Sequence, residues 1–137
     1  MRDENELSKQ IIGAAIEVHR HLGPGLLERA YQLAMMAEMD LRGLCYECEK
    51  PMPVVYKGRD LDAGFRLDLL VEGLVVVELK TVDAILPVHE AQVITYLKIT
   101  GCKLGLLLNF NVAQMKEGIR RLVLNLPESL PYLKKKI

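Results

Sequence analysis

Between Phe65 and Lys80 the chain makes two apolar runs, Phe65-Arg66-Leu67-Asp68-Leu69-Leu70-Val71 and Leu74-Val75-Val76-Val77-Glu78-Leu79-Lys80, joined by Glu72-Gly73. β-Branched and leucine side chains in near-continuous runs, with a glycine turn between them, predict a buried β-hairpin. Asp68, Glu78 and Lys80 interrupt it. Burying an ionised group costs several kcal/mol unless it is paired or bound to a cation. Two carboxylates beside a lysine can hold a hard cation such as magnesium and act on a phosphate. The same three groups can also form an internal salt bridge at the solvent end of a sheet.

Strand geometry decides part of this. Residues two apart face the same side, so Glu78 and Lys80 point together while Leu79 points into the core. Asp68 depends on register. A two-residue turn at Glu72-Gly73 pairs it with Val77, on the wrong face, whereas a three-residue loop or one bulge sets it opposite Glu78. The expectation is a hairpin with that extra residue.

The remaining elements frame the hairpin. Ile11, Ile12, Ala15, Ile16, Val18 and Leu22 predict an amphipathic helix over 7–22, stopped by Gly23-Pro24-Gly25. A second helix is predicted over about 26–41. Its apolar line is Leu27, Ala30, Leu33, Ala34, Ala37 and Leu41, and Glu28, Tyr31, Gln32 and Met35 form a neighbouring stripe. Short strands near an edge follow over 44–49 and 54–56, separated by Pro51 and Pro53. Pro87 suits the first turn of a helix over 87–100 that Gly101 closes. On it His89, Gln92 and Tyr96 share one stripe, and Val93 and Leu97 share a core-facing one. The run 103–110 reads as an interior strand, 119–126 as a further strand, and 127–137 as a tail ending in Lys134-Lys135-Lys136. Helices around such strands predict an α/β (α+β) fold, a mixed sheet flanked by helices.

Length and charge bound the function. The 137 residues fit one domain with a substantial core. Lys plus Arg and Asp plus Glu number 18 each, so no overall basic field draws in nucleic acid and any such binding is local or needs a partner. The polar start Met1-Arg2-Asp3-Glu4-Asn5-Glu6 and the lack of a long apolar run predict an intracellular, cytoplasmic protein with no membrane role. Three cysteines suit a reducing compartment. Cys45-x-x-Cys48 has zinc-like spacing, but no second pair or near histidine completes it.

Asp68 followed by Glu78-x-Lys80 resembles the signature of the PD-(D/E)xK nuclease superfamily, with Leu67-Asp68 in place of Pro-Asp. Gln92-x-x-x-Tyr96 resembles the Gln-x-x-x-Tyr motif of RecB-like nucleases. Gly25-Leu26-Leu27-Glu28-Arg29-Ala30-Tyr31 is similar to the Gly-x-x-Glu-x-x-Tyr motif of the GxxExxY family, as are Ala15 to His19, Leu22 to Gly25, His89-x-Ala91-Gln92, Gly105 to Phe110 and Gly118 to Arg121. The resemblance spans about residues 7–125.

It implies a restriction-endonuclease-like core and Mg2+-dependent (or Mn2+-dependent) phosphodiester hydrolysis, on DNA in preference to RNA. Asp68, Glu78, the Leu79 backbone carbonyl and Glu28 are then the expected metal ligands. Lys80 stabilises the reacting phosphate and its water, and Gln92, Tyr96, Tyr31 and His89 are candidate substrate contacts. Plainer readings stand beside these. Glu28 suits a helix N-terminus, Tyr31 suits a core aromatic, and the histidines suit packing or surface. Two other functions stay open: an inactive nucleic-acid-binding or assembly module on the same fold, and a homodimer or protein partner that adds positive surface. Met35, Met36 and Met39 suit either core or interface.

Overall fold

The computed structural model describes residues 3–125. Helix α1 (Glu4–Leu22) starts where the Asp3 side chain accepts from the Glu6 backbone N–H at 2.8 Å. That cap occupies one of the orphan donors at the helix start, and Glu4 and Glu6 complement the helix dipole. Next come α2 (Glu28–Leu41), β1 (Tyr46–Pro51), β2 (Val55–Tyr56), β3 (Arg59–Asp60), β4 (Arg66–Val71) and β5 (Val75–Lys80). Helix α3 (Pro87–Thr100), β6 (Leu104–Asn109), a 3-10 turn (Met115–Gly118) and β7 (Ile119–Val123) complete the described chain. The tail expected over 127–137 lies outside the described residues, as does the end of the last predicted strand.

Five strands form one sheet in the order β1-β4-β5-β6-β7, and β2 and β3 pair apart from it. Among the described strands only β5 and β6 run parallel, which requires a crossover, and α3 supplies it. The sheet is therefore mixed and flanked by helices: an α+β architecture of the restriction-endonuclease-like kind. β1 lies on an edge, as its prolines require, and β6 is interior and buried along its whole length.

Two apolar layers sandwich the sheet. Leu7, Ile11, Tyr31 and Met35 of α1 and α2 pack with Val75, Val77 and Leu79 on one face. Val93 and Leu97 of α3 pack with Val76 and Leu107 on the other. Gly105 lets α3 sit close, because a Cβ there would stand 2.6 Å from Val93 Cγ1. Strand alternation puts Glu78 and Lys80 on Val76's side, toward α3.

The face of α2 differs from expectation. Leu27 and Leu41 are 82% exposed and Leu33 is exposed too, whereas Tyr31, Met35 and Met39 are fully buried. Two neighbouring stripes of similar apolarity compete on this helix, and the stacking of Tyr31 on Phe110 at 4.5 Å shows which one wins. The methionines are core, with Met36 packed at its margin. On α1, Ile16 and Leu22 also turn outward.

Candidate active site

The hairpin carries the extra residue. Leu74 N–H donates to the Val71 carbonyl at 2.9 Å, closing a turn through Glu72 (φ 54°) and Gly73 (φ 68°). Positive φ at both central residues is the turn that matches strand twist. Pairing nevertheless resumes at Val71 with Val75, so Leu74 is the bulge. The register then runs Leu70 with Val76 and Leu69 with Val77, and the next step sets Asp68 across from Glu78.

At that step the ladder gives way to side chains. Asp68 N–H donates to Glu78 Oε1 at 2.9 Å, and Leu79 N–H donates to Asp68 Oδ2 at 2.8 Å. On the other side of β4, pairing with β1 is interrupted between Cys48–Leu69 and Lys50–Leu67, where Glu49 has φ 53°. Leu67 joins the α3 layer although Leu69 and Val71 join the opposite one, so strand alternation also breaks at Asp68. β4 and β5 fork here, and the two carboxylates occupy the fork.

Their surroundings disfavour charge. Burial, then the Asp68 charge, pushes the Glu78 carboxyl up to about 8, against the pull of the Asp68 N–H and Lys80. Burial also raises Asp68 to about 6, the Leu79 N–H opposing it and Glu28 and Glu49 reinforcing it. Glu28, at the rim, is raised by desolvation, partly offset by Lys80. Burial and the two acids push the Tyr96 hydroxyl to about 12. Glu28, Asp68, Glu78, Lys80 and Tyr96 thus share one electrostatic neighbourhood.

Lys80 reaches toward α3. Its Nζ donates to Gln92 Oε1 at 3.5 Å, and Gln92 Nε2 donates to the Tyr96 hydroxyl at 3.2 Å. One helical turn separates Gln92 from Tyr96, which is why both meet the lysine. His89 lies on the same side of α3, but its Nδ1 accepts from the Leu86 N–H at 2.9 Å and so caps the helix.

Tyr31 does not line this site. It is fully buried, donates to the Gly23 carbonyl at 2.6 Å and accepts from Leu26 N–H at 3.2 Å. The structure gives it a place in the core: the ring stacks on Phe110 and the hydroxyl clamps the loop that delivers Glu28 to the first position of α2. Gly25 (φ 100°) makes the loop's tight turn possible.

Two further residues belong to the neighbourhood. Gln32 Nε2 donates to Glu49 Oε2 at 2.8 Å and to the Asp68 carbonyl at 3.3 Å, while its Oε1 accepts from Arg29 at 2.6 Å. Gln32 shares a stripe with Glu28, which was a signal for it. Glu49, an exposed acid on an edge strand, carried none.

The donor set suits a hard divalent ion. Each carboxylate uses one oxygen on a backbone N–H, and Asp68 Oδ1 and Glu78 Oε2 have no hydrogen bond among the described residues. No buried side-chain N or O atom there lacks a partner, so both oxygens reach solvent. Leu79 N–H points at Asp68, and within a strand the carbonyl of the same residue faces the same edge. Among the described residues no three His, Cys, Asp or Glu side chains enclose a cation. Such a site leaves most of the coordination shell to water, which magnesium tolerates and zinc structural sites do not.

Among the described residues no helix is long and apolar enough to cross a membrane. No curated protein and no solved structure matches the chain. A family model described as the PD-(D/E)XK nuclease superfamily matches residues 5–122. That span runs from α1 to β7 and contains the whole fork. Its coverage of most of the sequence makes the chain a member of the PD-(D/E)XK nuclease superfamily.

Proposed function

We propose that this protein is a Mg2+-dependent nuclease that hydrolyses phosphodiester bonds in DNA, built as one domain of the GxxExxY kind with a RecB-like Gln-x-x-x-Tyr helix. The observation that carries the reading is the fork itself. A bulge at Leu74 sets Asp68 beside Glu78, and strand alternation sets Lys80 on their face. Both acids have solvent-reaching oxygens and raised proton affinity, the condition a divalent cation relieves. Superfamily membership supports nuclease chemistry and a divalent metal. The inactive-module reading is not favoured, because acids, lysine and helix motif stand together.

Asp68, Glu78 and the Leu79 carbonyl would hold the cation, and Glu28 and Glu49, whose charges are felt at Asp68, are candidate partners for its waters. When bound, Mg2+ supplies Lewis-acid polarisation of the phosphoryl oxygen and a more acidic water. Lys80 places its ammonium against the charge that develops on phosphorus oxygens during attack. Gln92 orients that ammonium from the side, and Tyr96, whose hydroxyl stays protonated, donates to a phosphate oxygen. His89 keeps Nε2 available for substrate while Nδ1 caps α3. Three unbridged cysteines suit work in the reducing cytoplasm.

The test is cleavage of end-labelled and circular DNA, and of RNA, by the purified protein in Mg2+, Mn2+ or EDTA. The expected result is metal-dependent cutting of DNA that Asp68→Asn and Lys80→Ala each abolish with circular dichroism unchanged. Cutting that persists in Lys80→Ala, or in EDTA, would refute the assignment.

A further inference from the structure

Beside the fork, an open cavity of about 490 Å3 lies between α3 and the segment that joins β1 to β4. One wall is Met52, Val54 and Phe65; the other is the α3 stripe containing Val88, Thr95 and Ile99. Lys80, Gln92 and Tyr96 close one side of it. Those same three residues form the polar relay beside the acids. The cavity and the fork therefore share a border.

A ligand for this space needs an apolar, flat body and an anionic or strongly polar end. The wall of Met52, Val54 and Phe65 is hydrocarbon and aromatic, and a phosphate placed against it would lose its hydration without replacement donors, which lie instead along α3 at His89, Gln92, Thr95 and Tyr96. Phe65 is 47% exposed and Val88 is 65% exposed, so large apolar surface stands open at the rim. Among the described residues that line the cavity, the one ammonium is on its fork side, at Lys80. A nucleotide has the matching polarity: its phosphate would lie toward Lys80 and its base against Phe65.

Base pairing decides the form of the substrate. In a duplex the base faces are stacked and only edges reach the grooves, so an apolar cleft has nothing to hold. An unpaired base offers its faces, and an aromatic side chain stacks on it whatever its identity. Resting on the nuclease reading above, we propose that this cavity takes an unstacked nucleobase next to the scissile phosphate, and that the enzyme's substrate is single-stranded or locally melted DNA. Sequence preference is then weak, because stacking does not read base edges.

The test separates this from the nuclease assignment. Binding is measured by fluorescence anisotropy with labelled single-stranded and duplex oligodeoxynucleotides, on the Asp68→Asn protein so that nothing is cut. The single strand should bind more tightly than the duplex. Phe65→Ala should weaken single-strand binding about tenfold, Phe65→Leu nearly as much, and Phe65→Trp little. Phe65 is half exposed, so these variants keep the fold; a merely apolar packing role would be satisfied by leucine. A 2-aminopurine placed along the strand should be quenched on binding at one position, and Phe65→Ala should relieve that quenching. Equal affinity for duplex and single strand, unaltered by Phe65→Ala, with metal-dependent cutting intact, overturns the base pocket and leaves the nuclease standing. A change in oligomeric state with Phe65→Ala, without a change in affinity, assigns the cavity to a second copy and also overturns it. If no oligonucleotide is bound or cut in Mg2+ or Mn2+, the nuclease reading fails and the pocket falls with it.

Discussion

Replacing Glu78 with glutamine should stabilise the metal-free protein at alkaline pH while removing its response to magnesium. Glu78 is 4% exposed, and its Oε1 accepts the Asp68 N–H, a bond that an amide oxygen preserves. Burial, then the Asp68 charge, raises its carboxyl from 4.5 to about 8. A raised acid means that the folded chain holds a proton which the unfolded chain has released, so stability is lost as pH climbs from the lower value to the upper and levels off beyond it. At about 1.4 kcal/mol per tenfold change in proton affinity, the whole gap corresponds to on the order of 5 kcal/mol. Glutamine leaves one amide group to be satisfied by water at the fork, and removing the Glu78 charge deprives Lys80 of a partner. Relative to wild type, the variant should therefore gain about 2 kcal/mol near pH 8 and lose about 1–2 kcal/mol near pH 5, where the wild-type carboxyl keeps its proton and only the costs of the amide remain. Urea unfolding in EDTA, followed by circular dichroism at both pH values, measures it. Millimolar Mg2+ should restore wild-type stability at the higher pH and leave Glu78→Gln unmoved. A wild type that becomes more stable between pH 5 and 8 without metal would refute the reasoning, as would a glutamine variant that is weaker than wild type at both.

Other expectations follow from single contacts. Tyr31→Phe keeps the stack on Phe110 but strands the Gly23 carbonyl and Leu26 N–H, so it should cost about 1–2 kcal/mol, read as a lower calorimetric melting temperature, and should lower cleavage by loosening Glu28. Gln32→Leu removes the donor that ties Glu49 to the Asp68 carbonyl; Mg2+ affinity by titration calorimetry should fall about tenfold with the fold intact. Met35→Ala should cost about 2–5 kcal/mol, whereas Leu41→Ala should change stability by less than about 0.5 kcal/mol, a contrast in urea midpoints that the alternative face of α2 would reverse.

Most of the architecture was legible because its signals are local. Pro87 and Gly101 bracket α3 where the structure has it, and the prolines after Lys50 mark the edge strand. Asn109, at the end of β6, ties the loop after β5 by donating to the Val82 carbonyl at 2.9 Å. Helix α2 was misread because its leucines and its Tyr31-Met35-Met39 stripe have comparable apolarity, and only the neighbour decides between such faces. Glu49 was invisible for a similar reason. Its relevance comes from lying opposite Asp68 on a strand distant in sequence, held by a glutamine from a helix.

By itself the sequence determined that Glu78 and Lys80 share a face, since two-residue spacing puts side chains on one side of a strand wherever it stays regular, as β5 does through Lys80. It also determined that Gln92 and Tyr96 share a turn of helix. Whether Asp68 joined them was left to the tertiary structure, because one bulged residue at Leu74 moves every side chain of a strand to the other face. The tertiary structure alone decided the fork as well. There the β4–β5 ladder stops and the β1–β4 ladder is interrupted, carboxylates take over the backbone hydrogen bonds, and burial raises their proton affinity. Those effects come from groups 10 or more residues apart meeting in a space with little water, and no local spacing encodes that.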